Sequence, residues 1–256
     1  MNTRGLKPIS LYIHTPWCVK KCPYCDFNSH ESAGSIDEKA YLEALLKDLE
    51  SEPSELTGRP VKSVFFGGGT PSLLSSGFYA ALLEKLAAKT SFAKSLEITL
   101  EANPGTADAA NFKGYRQAGI NRLSLGFQSL RDSSLKSLGR IHDASQAVDA
   151  FELARAAAFD NINIDLMFAL PGQDAKAALQ DLSKVIALNP EHISWYQLTL
   201  EPNTRFYAQP PQNLPDNDLA WQMKIEGIDL LTRAGFIRYE VSAYAKTGFE
   251  CQHNLN

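Results

Sequence analysis

The 256-residue chain carries 25 basic and 29 acidic side chains, a formal charge of -4, so it has no basic surplus for tracking a phosphate backbone and no nucleic-acid partner is expected. Hydrophobic residues make up 44% and charged residues 21%, which excludes a disordered chain and supplies enough apolar side chain for one large core. No apolar run reaches the roughly 18 residues of a membrane span, and residues 1–17 contain no signal-peptide stretch, so no transmembrane segment and a cytoplasmic location are expected.

Short strand-like runs then alternate with helical stretches. The runs are Ile9 to His14, Val61 to Phe66, Leu96 to Glu101, Asn121 to Gln128, Asn161 to Met167 and His192 to Leu198. After the first, Ser35 and Glu38 have capping-box spacing ahead of an apolar stripe, Tyr41, Leu42, Leu45, Leu46 and Leu49, that Pro53 closes. Asp143 and Gln146 open a helix carrying Val148, Phe151 and Ala154, and Leu179, Leu182, Val185 and Ile186 mark another ending at Asn189-Pro190. Each crossover is long enough to return the chain parallel. Six such α/β units suit a partly closed (β/α) barrel or an open doubly wound sheet. Polar or glycine-rich groups follow every strand: the cysteine loop, Gly67 to Thr70, Glu101, Gln128, Asp165 and Tyr196-Gln197. In a barrel these ends converge on one mouth, which favours a partial (β/α)6 TIM-like barrel.

Beyond residue 199 the alternation loosens. Glu201 to Pro215 holds four prolines and reads as a connecting loop, followed by a helix from about Asp216 to Ala234 with Gly235 just past its end. The apolar run Phe236 to Tyr244 reads as one strand, and nothing from Cys251 to Asn256 looks like a folded terminus. The expected division is a barrel over residues 1–200 and, over 201–256, a loop, helix and strand leading to a further C-terminal domain.

Three of the four cysteines, Cys18, Cys22 and Cys25, form a C-x3-C-x2-C loop after the first strand. They are too few and too crowded for a secreted disulfide framework, so a metal is expected. Structural zinc needs four ligands, and here the fourth would have to be His14 or His30. Three thiolates on a cubane iron-sulfur cluster instead leave one iron open for chemistry. The fourth cysteine, Cys251, has no partner in the sequence and is assigned no role.

The cysteine loop, with Tyr24 just before its last thiol, resembles the signature of the radical S-adenosylmethionine (SAM) superfamily. That resemblance implies a barrel of the radical SAM type. It also implies that Cys18, Cys22 and Cys25 hold a [4Fe-4S] cluster, with SAM chelating the remaining iron. Electron transfer would then cleave SAM to methionine and a 5′-deoxyadenosyl radical, the protein positioning the cofactor. Leu11 to His14, Cys22 to Ser29, Gly67 to Leu73, Glu101 to Gly105, Leu138 to His142, Ser194 to Leu198 and Glu201 to Thr204 resemble the coproporphyrinogen oxidase-like branch, most closely its HemW-type heme chaperones. Members of that group continue past a His-Asn-x-x-Tyr-Trp motif, so the chain, ending at His253-Asn-Leu-Asn256, reads as a fragment cut inside it.

The same resemblance distributes roles among the polar strand ends. Gly68, Gly69 and Thr70 would meet the methionyl part of SAM, where bare backbone admits close approach. Glu101, Gln128 and Asp165 would surround SAM; a carboxylate inside the run Ile162 to Met167 costs several kcal/mol unless a donor or cation meets it. Arg140 would pair with the SAM carboxylate. Tyr12 would lie at the cofactor, with Tyr24 a weaker candidate to pack on adenine. His253 would be an axial ligand of heme, and Trp195, Tyr196, Trp221 and Phe206 would border the porphyrin. The implied partners are heme, a heme-acceptor protein and a one-electron donor such as flavodoxin or ferredoxin. No catalytic side chain is assigned, and whether the protein turns over a substrate stays open. The alternative function is oxygen-independent coproporphyrinogen III oxidation, an oxidative decarboxylation of propionate chains. Such oxidases carry a further cysteine two places after the third, where this chain has Phe27, and a longer segment before the first strand.

Overall fold

The computed structural model describes residues 7–32, 34–51, 58–106 and 109–255. Six parallel strands come first: β1 (Ile9–Thr15), β2 (Pro60–Gly68), β3 (Ser91–Ala102), β4 (Arg122–Gln128), β5 (Ile162–Phe168) and β6 (His192–Gln197). The helices are α1 (Glu38–Ser51), α2 (Ser76–Lys89), α3 (Ala109–Ala118), α4 (Asp132–Ser137), α5 (Ala144–Ala156), α6 (Ala175–Ala187), α7 (Arg205–Ala208) and α8 (Asn217–Arg233).

Strand order decides between the two architectures. The parallel strands lie side by side in the order in which the chain makes them, without the reversal that defines a doubly wound sheet. With one hand of crossover, sequential order puts every helix on the same face. The helices accordingly form one layer, α1 against α2, α2 against α3, α3 against α5 and α6 against α8. The fold is the singly wound, open relative of a (β/α) barrel. Alternate strand residues fill the core under that layer: Val64 and Phe66, Ile98 and Leu100, Leu123, Leu125 and Phe127, Ile164 and Leu166, Ile193 and Trp195. Their neighbours make the other face polar, with Ser63, Glu97, Thr99, Arg122, Ser124, Asn163 and His192 all buried.

Local signals worked as physics requires where the partner is a few residues away. Asp143 and Gln146 form the reciprocal capping box of α5, Asp216 caps α8 by accepting from the Leu219 N–H, and Gly235 takes φ +86° beyond it. The stripe on α1 packs against the core, but its cap is Asp37, which accepts from the Ala40 N–H at 3.0 Å. Glu38 instead turns outward to Ser75, taking the backbone N–H and the hydroxyl that precede α2, both at 2.6 Å. Pro53 lies outside the described residues.

The run Phe236 to Tyr244 is not one strand. It folds into two short ones, β7 (Ile237–Arg238) and β8 (Ala243–Ala245), paired antiparallel, and β8 in turn pairs antiparallel with β6. Part of the terminal stretch is packed: Cys251 is 1% exposed and bonds to Glu97 on the polar face of the sheet, while Asn254 and Leu255 are exposed. Among the described residues no helix is long and apolar enough to cross a membrane.

Candidate cofactor site

At the C-terminal ends of the parallel strands lies a cavity of about 430 Å³ lined by residues from Cys18 to Glu201. Cys18, Cys22 and Cys25 ring it, and Gly68, Gly69, Thr70, Glu101, Gln128, Arg140 and Asp165 form its wall. These ten side chains and glycines come from six separate segments of the chain, and only the convergence of a singly wound sheet brings them together.

The cysteine loop is carried by β1 and a short parallel pair, Trp17–Cys18 with His30–Glu31. Cys25 closes a turn by donating its N–H to the Cys22 carbonyl at 3.1 Å. Among the described residues no three His, Cys, Asp or Glu side chains converge as one metal ion requires. Three unpaired thiols around one mouth fit a polynuclear cluster, in which each iron takes its own thiolate. His14 is engaged elsewhere, Nδ1 with the Tyr12 hydroxyl at 3.1 Å and Nε2 with the Asn28 carbonyl at 2.7 Å, and His30 is exposed.

The glycine run has a cause inside the chain as well. A Cβ on Gly68, whose φ is +108°, would stand 2.5 Å from the His14 ring, and one on Gly69 would stand 2.5 Å from the Trp17 carbonyl. Bare backbone lets the exit of β1 press onto the end of β2, where the Gly69 and Thr70 N–H groups donate to the Thr15 and Trp17 carbonyls at 2.6 and 2.7 Å.

Two half-buried carboxyls face the cavity. Glu101 accepts from the Gly68 N–H at 3.2 Å, yet burial and the neighbouring Asp165 push its carboxyl from 4.5 up to about 8. The apolar residues of β3 face the helices, not the concave side, so Glu97, Thr99 and Glu101 point inward. Burial also raises Asp165, although hydrogen bonds donated by Asn163 and Ser124 favour its charged form and limit the rise.

Arg140 is the counterpart. Its two terminal nitrogens donate to the Cys22 sulfur at 3.6 Å and the Gly126 carbonyl at 2.8 Å, while its buried Nε has no partner among the described residues. His142 donates from Nε2 to the Phe127 carbonyl at 3.1 Å; burial and Arg140 pull its pKa down to about 4, so it stays neutral. Arg140 and His142 thus grip consecutive carbonyls at the end of β4. Gln128 leaves the strand at a register shift with φ +68°, and its side-chain oxygen accepts from the Tyr196 hydroxyl at 2.6 Å. A wall offering two carboxyls and a guanidinium suits a zwitterion that carries an additional cationic centre.

Not every expected residue lines the cavity. Tyr12 is half exposed, its ring packed beside Phe65 and His253, adjacent to Glu101 but outside the wall. Tyr24 does line it, with its ring against Phe206. His253 lies below, its ring centroid 5.0 Å from that of Phe65 and its Nδ1 buried without a partner among the described residues. The four aromatics expected to border a porphyrin do not gather: Trp195 is core against Phe168, Phe206 meets Tyr24, Tyr196 faces the cavity and Trp221 is exposed on α8. Sequence reading missed Asn103, Ser124, Gly126 and Met167 in the wall. For Ser124, Gly126 and Met167 the signal was strand alternation, since Gly126 and Met167 stand two residues from an assigned polar group and Ser124 four.

The Radical SAM superfamily profile matches residues 12–184. The chain belongs to the radical SAM superfamily. It is 52% identical over 255 residues to the heme chaperone HemW of Haemophilus influenzae, and 52% identical over 251 residues to that of Escherichia coli, covering 98% of this chain each time. It is 42% identical over 248 residues to the mouse mitochondrial radical S-adenosyl methionine domain-containing protein 1. The chain spans 66% of the two bacterial relatives and 56% of the mouse protein. Among solved structures, the coproporphyrinogen III oxidase HemN from Escherichia coli, titled a radical SAM enzyme, superposes with a TM-score of 0.84 at 28% identity, over 95% of this chain and 56% of that one. Superfamily membership implies a [4Fe-4S] cluster and SAM, and the thiol ring and mixed-charge wall fit both.

Proposed function

We propose that the chain is the cofactor-bearing part of a heme chaperone, a protein that binds heme and passes it to an acceptor protein. What carries the reading is the gathering of Cys18, Cys22 and Cys25 with Glu101, Gln128, Arg140 and Asp165 on one cavity, in a chain 52% identical to proteins named heme chaperone HemW. In this reading the three cysteines hold a [4Fe-4S] cluster. Gly68, Gly69, Thr70 and Arg140 take the methionyl end of SAM, and Glu101, Gln128 and Asp165 take its cationic and hydroxyl groups, with Tyr12 beside Glu101. When bound and reduced, the cluster supplies the electron that cleaves SAM, delivered by a flavodoxin- or ferredoxin-like donor. His253 offers a neutral imidazole nitrogen to heme, because burial pulls its pKa below the ordinary value and leaves Nδ1 without a partner among the described residues. Residues 1–200 carry the cofactors, and 201–256 lead from them toward the heme-handling part. Four free thiols suit the reducing cytoplasm.

The oxidase reading rests on the 0.84 TM-score to HemN. Against it stands Phe27, which lines the cavity at the place where such oxidases carry a further cysteine. The test is heme uptake and coproporphyrinogen turnover measured side by side on the complete protein after anaerobic reconstitution. We expect iron and labile sulfide in the equal amounts of a cubane. We expect heme uptake that His253→Ala largely removes, and no decarboxylated product. Turnover would restore the oxidase, and stoichiometric zinc without labile sulfide would remove the cluster.

A further inference from the structure

Below the cavity, Asp165 is the end of an unbroken line of hydrogen bonds, buried at its centre and part-buried toward its ends, that begins at the segment carrying His253. Oδ1 of Asp165 accepts from Nδ2 of Asn163 at 2.8 Å, and Oδ2 accepts from the Ser124 hydroxyl at 3.0 Å. Nδ2 of Asn163 also donates to the Ser124 oxygen at 2.7 Å, so the amide of Asn163 has its nitrogen on that side and its oxygen on the other. That oxygen can only accept. It takes the Ser194 hydroxyl at 3.1 Å and Nδ1 of His192 at 2.6 Å, so His192 carries its proton on Nδ1.

Burial and Arg122 hold His192 neutral, which makes Nε2 an acceptor for the Tyr239 hydroxyl at 2.7 Å. The Tyr239 oxygen then accepts from the Cys251 N–H at 3.1 Å and from Nδ2 of Asn254 at 3.3 Å. Every donor in the line points the same way, from residues 251–254 through Tyr239, His192 and Asn163 to Asp165. Aligned bonds in a buried setting polarise one another.

We propose that Tyr239 and His192 are positioning residues for Asp165, holding its carboxylate in the orientation that receives SAM and tying that orientation to the packed segment 251–254. The inference rests on the reading of Asp165 as a SAM contact. The two residues touch no part of the cavity themselves and act only through Asn163, so their effect must pass through Asp165. Displacing the segment next to His253 would then loosen the SAM pocket, which makes the line a route between the two sites.

The test is SAM affinity, measured by anaerobic equilibrium dialysis with labelled SAM on reconstituted protein of matched iron and sulfide content. Tyr239→Phe removes one hydroxyl and keeps the ring. Affinity should fall roughly fivefold, the worth of one buried hydrogen bond. In an Asp165→Asn background the same change should matter by less than about twofold, because coupled residues are non-additive. No loss, or an equal loss in both backgrounds, overturns the proposal and leaves the SAM site standing. An Asp165→Asn variant that binds as tightly as the parent overturns the assignment of Asp165 itself, and the proposal with it. Should Tyr239→Phe fail to hold its cluster, His192→Gln, which keeps a donor for Asn163 and an acceptor for Tyr239, must bind SAM better than His192→Leu; equal binding overturns the proposal.

Discussion

Glu101 is the residue whose chemistry is most exposed to test. With its carboxyl raised to about 8 by burial and Asp165, it is protonated at neutral pH while the cavity holds no cation. A cationic centre arriving nearby favours the charged form and pulls that pKa down, so binding must release a proton. The sign follows: between pH 6 and the folded pKa of about 8, affinity for SAM rises with pH, by at most about tenfold per pH unit, and levels off above it. Calorimetry in two buffers of different ionisation enthalpy should show close to one proton released at pH 7, and Glu101→Gln should abolish the release. At this scale the sequence was readable for charge and unreadable for orientation. Asp165 stood out because a carboxylate in an apolar run needs a reason, and Glu101 through the resemblance alone. Tyr239, His192 and Asn163 did not, because their significance is a line of bonds between strands.

At the scale of elements, the site is held by pieces that do not touch it. Gln128 leaves β4 with φ +68°, a backbone state that costs a residue other than glycine about 1 kcal/mol or more unless its surroundings enforce it. The enforcement comes from α6. Asp181, fully buried, accepts the Ser129 hydroxyl at 2.5 Å and the Leu130 N–H at 3.3 Å, fastening the chain directly after the bulge. Asp181→Ala leaves a buried N–H and a hydroxyl without their acceptor, and should lower the unfolding free energy by about 2–3 kcal/mol in chemical denaturation. It should also weaken SAM binding, whereas Asp181→Asn, which keeps an acceptor, should lose less on both counts. Helices and strands were legible because amphipathic spacing and caps such as Asp143 with Gln146 are local. The bulge was not, since its cause sits 52 residues away on another helix. The hairpin of β7 and β8 was hidden for a related reason: an apolar run gives no sign of the bend that pairs it with itself.

For the whole molecule, one-sided helix cover leaves a polar sheet face that something must close. The stretch around Cys251 and Gln252 does so, anchored where one oxygen of Glu97 takes both the Gln252 N–H at 2.9 Å and the Cys251 thiol at 3.4 Å. The architecture was legible from the repeating units and from polar residues at each strand end, which a barrel gathers at one mouth. The closing segment was not, because its complement, Glu97, lies 154 residues earlier on another strand. Glu97→Ala should therefore act on closure more than on the fold. Two donors lose their acceptor, a cost of about 1–3 kcal/mol that falls on the segment's own opening equilibrium. Cys251 samples solvent only when that segment lifts, so its alkylation in cluster-free protein, followed peptide by peptide by mass spectrometry, should accelerate by about tenfold or more. Cys18, also buried but on the far side of the cavity, serves as the internal reference and should keep its rate. Equal acceleration at both thiols would mean that Glu97 supports the sheet as a whole, and the segment would then be a passenger on the polar face instead of its cover.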